Sequence, residues 1–317
     1  MRLQLQIANA PCSWGVLEFE EQSAAGYDYT QVLDELRAAG YVGTELGDWG
    51  FMPTDPRTLR DALGERSLSL VGAFVPIRLA DPGARAEGER AAIRTASLLK
   101  DAGFPTAFVV LADDIAASPE RTAAAGRVGP EHQLPDDDRA VFAANAEGIA
   151  RAVSEATGLR TVFHHHCASY IETAEEITDL MRRTSPEVLG LCLDTGHMSY
   201  AGADPEQVVT ELGSRIWHLH LKDCSPGIAE RARTEEGDIL HPPHAFLDQR
   251  VAVVGAEGHA ENHPALPVVE RRHLVQHLGA LEHDQRIGRC HNSPLCPAES
   301  RHQPCRRQAV GASVDDR

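Results

Sequence analysis

Long hydrophobic runs are missing from this 317-residue chain. No stretch approaches the roughly 18 consecutive apolar residues that a membrane-spanning helix needs. The N-terminus also lacks the basic segment followed by an apolar run that marks a secretory signal. Hydrophobic residues make up 42% of the sequence and charged residues 24%, which is typical of a globular enzyme. We therefore expect a cytoplasmic protein without a membrane partner.

Basic charge is scarce. Lysine and arginine together number 30, against 47 aspartates and glutamates, so the formal net charge is −17. Nucleic acids and anionic lipid surfaces are bound through basic faces, and we expect neither as a partner. A small-molecule substrate fits this composition better, and the negative charge does not exclude a phosphorylated one because a site can be locally positive.

Cysteine pairs and dinucleotide-binding glycines are also missing. The seven cysteines are odd in number, scattered, and include no CxxC pair, which predicts reduced thiols and no disulfide framework. No GxGxxG follows the first predicted strand, so the simplest dinucleotide-binding fold is excluded.

Strand-like and helix-like segments alternate through residues 1–237. Seven short runs rich in Val, Ile, Leu and Phe predict strands, and amphipathic segments between them predict helices. The predicted strands are 3–9, 42–46, 69–77, 106–113, 161–166, 189–194 and 216–223. The predicted helices are 28–39, 56–66, 84–102, 136–157, 173–184, 204–214 and 225–236. This order indicates a parallel α/β sheet, either doubly wound or closed into a barrel.

Polar residues at the carboxyl ends of several predicted strands favour the barrel, because TIM-barrel active sites lie at that face. We therefore predict a TIM (β/α)8-type barrel in which the eighth βα unit is aberrant or missing. The polar segment 114–135 is predicted to be a loop insertion over the site.

The last quarter of the chain departs from this pattern. Residues 238–317 contain nine of the 16 histidines, and their apolar periodicity fades. The Arg-, Pro- and His-rich composition is consistent with a disordered extension or with translation out of the ancestral reading frame, which we favour. The histidine and cysteine spacings in this segment fit no zinc pattern.

The segment Leu191-Cys-Leu-Asp-Thr-Gly-His197 places a carboxylate at a strand end and a histidine three residues later. At a barrel rim Asp194 is a candidate oxygen ligand for a divalent metal, and His197 a candidate substrate contact. The alternative is a helix-capping aspartate beside a surface histidine.

Alternate residues of a strand share one face, so His218, His220 and Lys222 are predicted to point together into the barrel mouth. Burying two imidazoles and an ammonium is costly unless they serve a ligand, a carboxylate or a metal. By the same argument His164 and His166 share a face, and imidazole suits Mn, Co, Fe or Zn better than Mg. Structural histidines and a metal-free polar strand end remain the alternatives.

Three residues near the first two strand ends complete the candidate set. Glu45 ends the second strand and is a candidate for binding a substrate hydroxyl or for proton transfer, with a rim salt bridge as the alternative. Asn9 and Trp14 follow the first strand as candidate substrate contacts, and Trp14 equally fits a packing role.

These motifs together resemble the xylose isomerase-like TIM-barrel superfamily, and within it the inosose dehydratase branch. The resemblance covers about residues 5–237 and is carried by five segments. They are Asn9-Ala-Pro-Cys-Ser-Trp-Gly15, Gly43-Thr-Glu-Leu-Gly47, His164-His-His166 with Tyr170-Ile-Glu-Thr173, Leu193-Asp-Thr-Gly-His197, and His218-Leu-His-Leu-Lys-Asp223.

The resemblance implies one divalent metal (Mn, Co or Mg), held at the barrel mouth by Glu, Asp, His and Glu from four strands. Asp194 and His220 match two of these positions, and the histidines at 164–166, most simply His164, replace the first Glu. The final Glu has no convincing match, and Glu257 and Glu270 are the nearest candidates. Homo-oligomers are common in the superfamily.

The resemblance implies a sugar or polyol isomerase or epimerase acting through an enediolate, with Lys222 stabilising the oxyanion or protonating a leaving group. One alternative is an inosose (2-keto-myo-inositol) dehydratase, a lyase that shares the same intermediate. The other is an inactive, truncated or frameshifted barrel.

Overall fold

The computed structural model describes residues 6–14, 27–114, 118–224, 227, 229–230, 234 and 248–255. The chain divides into two compact units, Met1–His283 and Asp284–Arg317, and all described residues belong to the first. Most of the predicted helix 225–236 and of the tail 238–317 lies outside the described residues, and the predicted domain boundary at residue 237 stays a prediction.

Eight strands close into a barrel in chain order. They are β1 Gln6–Asn9, β2 Gly43–Glu45, β3 Ser69–Ile77, β4 Phe108–Asp113, β5 Thr161–His164, β6 Leu189–Asp194, β7 Ile216–Asp223 and β8 Asp248–Gly255. The pairs from β1 to β7 are all parallel, whereas β8 runs antiparallel to both β7 and β1. The predicted TIM barrel is confirmed, and its eighth unit is aberrant because a regular barrel has eight parallel strands.

Most of the described helices begin at a residue whose side chain caps the first turn, whereas those that begin at Arg85 and Asp136 have no side-chain cap. The described helices are α1 Tyr29–Ala38, α2 Pro56–Gly64, α3 Arg85–Asp101, α4 Pro119–Ala123, α5 Asp136–Thr157, α6 Ala174–Arg183, α7 Thr195–Tyr200 and α8 Pro205–Leu212. Thr173 and Glu176 form a capping box at the start of α6, and Asp204 caps α8 ahead of Pro205. Helix α5 ends at Gly158, whose φ of 79° is left-handed. Among the described residues, no helix has the length and hydrophobicity that crossing a bilayer requires.

The two largest of the four buried apolar clusters in the described residues support the barrel. The larger core packs the helices onto the outside of the strands. The smaller one contains Phe74, Phe108, Val110, Ala112, Val162 and Cys192 from β3 to β6. His218 on β7 lies against this smaller core, with its ring centroid 5.3 Å from that of Phe108. Polar side chains at the strand ends are therefore set against an apolar floor, which strengthens electrostatic interactions among them.

The insertion 114–135 contains structure that its polar sequence did not predict. It includes α4 and a short 3-10 turn at Pro130–His132. Arg121 is fully buried and forms a two-pronged ion pair with Glu176, with N–O distances of 2.8 and 2.9 Å. Its Nε also donates to the Ser169 carbonyl at 2.8 Å. The insertion is therefore anchored to the loop that leaves β5.

Candidate active site

The carboxyl ends of β5, β6 and β7 bring three predicted metal-ligand residues together. Strand register pairs Asp194 with His220, and His164 with Cys192 on the strand between them. His164 Nε2 lies 3.4 Å from Asp194 Oδ2, and His220 Nδ1 lies 3.6 Å from the same oxygen. The His164 and His220 ring centroids are 4.8 Å apart, and all three side chains are buried. This set is called the mouth cluster below.

The two carboxylate oxygens of Asp194 have different partners. Oδ1 accepts a hydrogen bond from His197 N at 3.0 Å and caps α7. Oδ2 faces the mouth cluster and lies 2.8 Å from Lys222 Nζ. The helix-capping alternative from the sequence is therefore correct for one oxygen, while the second is aimed at cationic and imidazole groups.

Lys222 and His197 form a second polar pair beside the cluster. Lys222 Nζ lies 3.1 Å from His197 Nε2, and His197 Nε2 is 3.9 Å from Asp194 Oδ2. Thr195 in α7 also holds the backbone of Lys222 through its hydroxyl, which lies 3.0 Å from both the carbonyl oxygen and the amide nitrogen. The ammonium is therefore fixed between a carboxylate and an imidazole.

Glu45 lies inside the barrel, with only 4% of its surface exposed. Its Oε1 accepts hydrogen bonds from His218 Nε2 and His220 Nε2, both at 2.9 Å. Gly72 on β3 makes room for this carboxylate, because a Cβ at that position would lie 3.1 Å from Glu45 Oε1. The shared face predicted for His218 and His220 is thus explained by one buried acceptor.

Burial and charge divide the histidines into two groups. Burial lowers the pKa of His164 to about 4 and that of His165 and His166 to about 3, so these imidazoles are neutral near pH 7. Burial also opposes protonation of His220, yet the acidic groups of Cys192, Glu45 and Asp194 around it raise its pKa.

Both carboxylates remain ionised despite their burial. His220 and His218 hold the pKa of Glu45 well below its usual value. The Lys222 ammonium and neighbouring imidazoles do the same for Asp194. The site therefore combines two ionised carboxylates with neutral imidazoles at His164, His165 and His166, the form of histidine that ligates metals, whereas His220 would release its proton on binding a metal.

The other two histidines of the triple-His segment diverge after β5 ends. His165 Nε2 accepts a hydrogen bond from the Asp194 backbone amide at 3.0 Å. His166 Nδ1 donates to the Cys167 carbonyl at 2.6 Å, and its ring packs on His197 with a centroid distance of 3.8 Å. The ring centroids of His166 and His164 are 5.8 Å apart, so His166 extends the site toward His197.

Asn9 and Trp14 stabilise the turn that follows β1. Asn9 Oδ1 accepts hydrogen bonds from Ala10 N and Ser13 Oγ, both at 2.8 Å. Trp14 Nε1 donates to Glu35 Oε2 at 2.6 Å. Their substrate-binding roles stay predictions.

Glu172 is a buried carboxylate whose role the sequence did not assign, although it lies within one of the matching motifs. It accepts hydrogen bonds from Ala168 N and Gly126 N, both at 2.7 Å, and burial raises its pKa to about 7. Ala168 has a φ of 73°, a left-handed conformation that a non-glycine residue rarely adopts. Glu172 thus ties the insertion to the loop that carries His166.

The donor atoms around Asp194 Oδ2 fit a divalent metal, and the ligand atoms of His164, Asp194 and His197 all lie within 4.8 Å of one another. Four ligands placed tetrahedrally about 2.1 Å from a metal lie roughly 3.4 Å from one another, close to the 3.4 and 3.6 Å separations around Asp194 Oδ2. Nδ1 of His164 is buried without a hydrogen-bond partner, so Nε2 is the nitrogen facing the carboxylate. The candidate fourth ligands Glu257 and Glu270 lie outside the described residues.

Comparison with known proteins identifies the family. The family model described as xylose isomerase-like TIM barrel matches residues 20–259. An inosose dehydratase of Geobacillus kaustophilus is 32% identical over 240 residues, which cover 74% of each chain. Among solved structures, the probable 3-DHS dehydratase AsbF of Bacillus anthracis has a TM-score of 0.54 at 14% identity, over 76% of this chain and 82% of that one. A D-allulose 3-epimerase of Methylomonas has a TM-score of 0.51 at 17% identity, over 74% and 77%. These two structural likenesses concern the fold alone, whereas the family match spans most of the sequence. The chain belongs to the xylose isomerase-like TIM-barrel family.

Proposed function

We propose that this protein is a divalent-metal-dependent lyase that dehydrates a cyclic keto-polyol of the inosose type. The observation that carries the proposal is the mouth cluster, with the Lys222–His197 pair beside it. The 32% identical relative is named an inosose dehydratase, and this supports the cyclic polyol as the substrate class.

His164, Asp194 and His220 are the proposed ligands of the metal. A divalent cation bound there would supply a Lewis acid that polarises the substrate ketone. The imidazole-rich donor set favours Mn or Co over Mg. His166 remains a further candidate ligand through Nε2, because its Nδ1 donates to a backbone carbonyl.

Lys222 is the proposed acid that protonates the departing hydroxyl. Its ammonium is held 2.8 Å from Asp194 Oδ2 and 3.1 Å from His197 Nε2, so it carries a proton at a fixed position. The base that removes the C–H proton next to the ketone is assigned to the His166–His197 imidazole pair, because both carboxylates of the described site are already paired with cationic or N–H groups. His218 and His197 are the proposed substrate contacts, with ring centroids 5.4 Å from that of His220 and 5.6 Å from that of His164, respectively.

Isomerisation or epimerisation, which the sequence predicted first, starts from the same proton removal. A two-base epimerase needs a proton acceptor on each face of the substrate carbon. In the described part of the site, Glu45 is instead occupied by two imidazoles, and Asp194 by Lys222. A fixed ammonium that can protonate a hydroxyl suits elimination better than a second abstraction, so dehydration is the function that we favour.

The decisive experiment incubates the purified protein and Mn²⁺ with 2-keto-myo-inositol and follows the absorbance of the dione product. Growth of that absorbance, lost on EDTA treatment and in Asp194→Ala, is the expected result. Lys222→Met should retain metal while losing most of its turnover. Parallel incubation with ketohexoses tests the isomerase and epimerase alternatives, since a rearranged sugar without dione would refute dehydration. A protein without stoichiometric metal and without turnover on any of these substrates would be the inactive barrel.

A further inference from the structure

Glu45 is not among the proposed metal ligands, but it contacts one of them directly. It contacts His220, the one mouth-cluster residue with both ring nitrogens facing carboxylates. His220 Nε2 is 2.9 Å from Glu45 Oε1, and its Nδ1 is 3.6 Å from Asp194 Oδ2.

The chemistry of these contacts fixes the hydrogen positions. An ionised carboxylate can only accept hydrogen bonds, so the nitrogens that face Glu45 must both be Nε2–H donors. Nδ1 is then the nitrogen of His220 that remains for a metal. Metal-binding histidines are commonly held in this way, with the second nitrogen donating to a carboxylate that fixes ring orientation and tautomer.

We propose that Glu45 is a positioning residue, which orients His220 so that Nδ1 rather than Nε2 is presented to the metal. This inference deepens the proposed function and rests on its metal site. It gives Glu45 a task different from the substrate or proton-transfer role that its place at a strand end suggested.

Three features make the orientation rigid. Glu45 and His220 are 4% and 5% exposed, so water does not compete for their hydrogen bond. His218 donates a second hydrogen bond to the same oxygen and thereby fixes the carboxylate. Gly72 faces that oxygen closely enough that a side chain there would displace it.

His164 provides an internal contrast. Its Nδ1 is buried without a hydrogen-bond partner, so no carboxylate in the described region fixes its tautomer. The support for ring orientation is therefore concentrated on His220, and losing Glu45 should weaken the metal site through that residue.

The first test measures Mn²⁺ affinity by calorimetric titration of full-length wild type, Glu45→Ala and Glu45→Gln. Loss of a partner behind a metal-bound histidine typically weakens metal binding about 10- to 100-fold, which is the loss expected for Glu45→Ala. Glu45→Gln keeps an amide oxygen as acceptor and loses only the charge, so a smaller loss is expected. Should Glu45→Ala fail to fold, Glu45→Gln carries the test.

Glu176→Gln is the matched control, because Glu176 is a similarly buried carboxylate that pairs with Arg121 and contacts no proposed metal ligand. Its Mn²⁺ affinity is expected to stay within about threefold of that of the wild type. This is far less than the loss of about 10- to 100-fold that is expected for Glu45→Ala. Thermal unfolding of the metal-free proteins, measured beside the titrations, separates positioning from a structural role. Lower melting temperatures with unchanged metal affinity in the Glu45 variants would overturn the inference.

A second readout requires no metal. Side-chain ¹H–¹⁵N spectra of the metal-free wild type should show protected Nε2–H signals from both His218 and His220, and Glu45→Gln should alter both. Absence of these signals in the wild type would refute the assigned tautomers. A wild-type protein that binds no Mn²⁺ would refute the proposed function. Equally tight Mn²⁺ binding in the wild type and in Glu45→Ala would refute only the positioning role of Glu45.

Discussion

Replacing Asp194 by asparagine separates the two tasks of this side chain. Asparagine is isosteric and caps helices about as well as aspartate, so the bond from His197 N to Oδ1 should survive. The second oxygen becomes an amide nitrogen and faces Lys222 Nζ, donor to donor, across a distance that is 2.8 Å in the wild type. The variant therefore leaves the helix cap intact and removes the charge of the mouth cluster.

The size of the effect follows from burial. Asp194 is fully buried and the Lys222 side chain is 12% exposed, so the ammonium loses its counterion where water reaches it poorly. Removing one partner of a buried ion pair costs about 3–5 kcal/mol, and we expect the lower end because the lysine can shed its proton. Mn²⁺ affinity should fall by more than roughly 100-fold, which is the largest loss typical when a hydrogen-bond partner behind a metal ligand is removed.

Urea unfolding in EDTA measures the first quantity and calorimetric titration with Mn²⁺ the second. The matched control is Asp204→Asn, because Asp204 also caps a short helix, accepting from Glu206 N at 2.9 Å, but lies outside the site. Its unfolding free energy should change by less than about 0.5 kcal/mol. An Asp194→Asn protein that lost under 1 kcal/mol, on the order of a surface change, and bound Mn²⁺ like the wild type would refute the proposed role of Asp194.

Three further outcomes are expected. His165 has a folded pKa of about 3 against 6.5 unfolded. The stability that it contributes is therefore complete above pH 6.5 and is lost as pH falls, by up to about 1.4 kcal/mol per unit. Urea unfolding of metal-free protein from pH 7.5 to 5 should show a shallower loss in His165→Gln, and equal slopes would contradict the assignment. Gly72→Ala should lower the free energy of unfolding by about 1–3 kcal/mol through overpacking and weaken Mn²⁺ binding, because the added Cβ would lie 3.1 Å from both Glu45 Oε1 and Val110 Cγ2. Gly64→Ala is the control, because a Cβ at that position meets open space. Arg121→Met should destabilise the protein by about 3–5 kcal/mol, because it leaves the buried Glu176 carboxylate without its partner. The double variant Arg121→Met/Glu176→Met should lose less stability in chemical denaturation, and equal losses would argue against a buried pair.

Much of the barrel could be predicted because each strand has a signature in its local sequence. The predicted ranges for β3, β6 and β7 coincide with the observed strands Ser69–Ile77, Leu189–Asp194 and Ile216–Asp223. Buried parallel strands are short, continuous apolar runs bounded by turn residues, which a sequence shows directly. Strand β5 ends two residues before the prediction, at His164, because the backbone amide of His166 donates to the Ile171 carbonyl of the following loop, at 3.3 Å, instead of to a neighbouring strand.

The residues of the candidate site could be predicted from the sequence more readily than the contacts between them. Period-2 alternation correctly placed His218 and His220 on one face, because side-chain direction in a strand is a local property. Their common partner Glu45 is more than 170 residues away in sequence, and only barrel closure brings it between them. Glu172 was missed as a loop anchor for the same reason, since its partner Gly126 belongs to an insertion whose path the sequence does not specify.

Closing the barrel and completing the metal site are separate demands on the chain. Closure requires only backbone hydrogen bonds, which any residue except proline can donate, and β8 meets this demand while running antiparallel to both neighbours. A fourth ligand requires one particular side chain at one position, which the eighth strand of a regular barrel would supply from its carboxyl end. In an antiparallel strand that end lies at the opposite face of the barrel, so the carboxyl end of β8 does not point to the mouth. We therefore expect Glu257→Gln to leave Mn²⁺ affinity unchanged, and a loss of affinity comparable to that of Asp194→Asn would show that the eighth strand runs parallel after all.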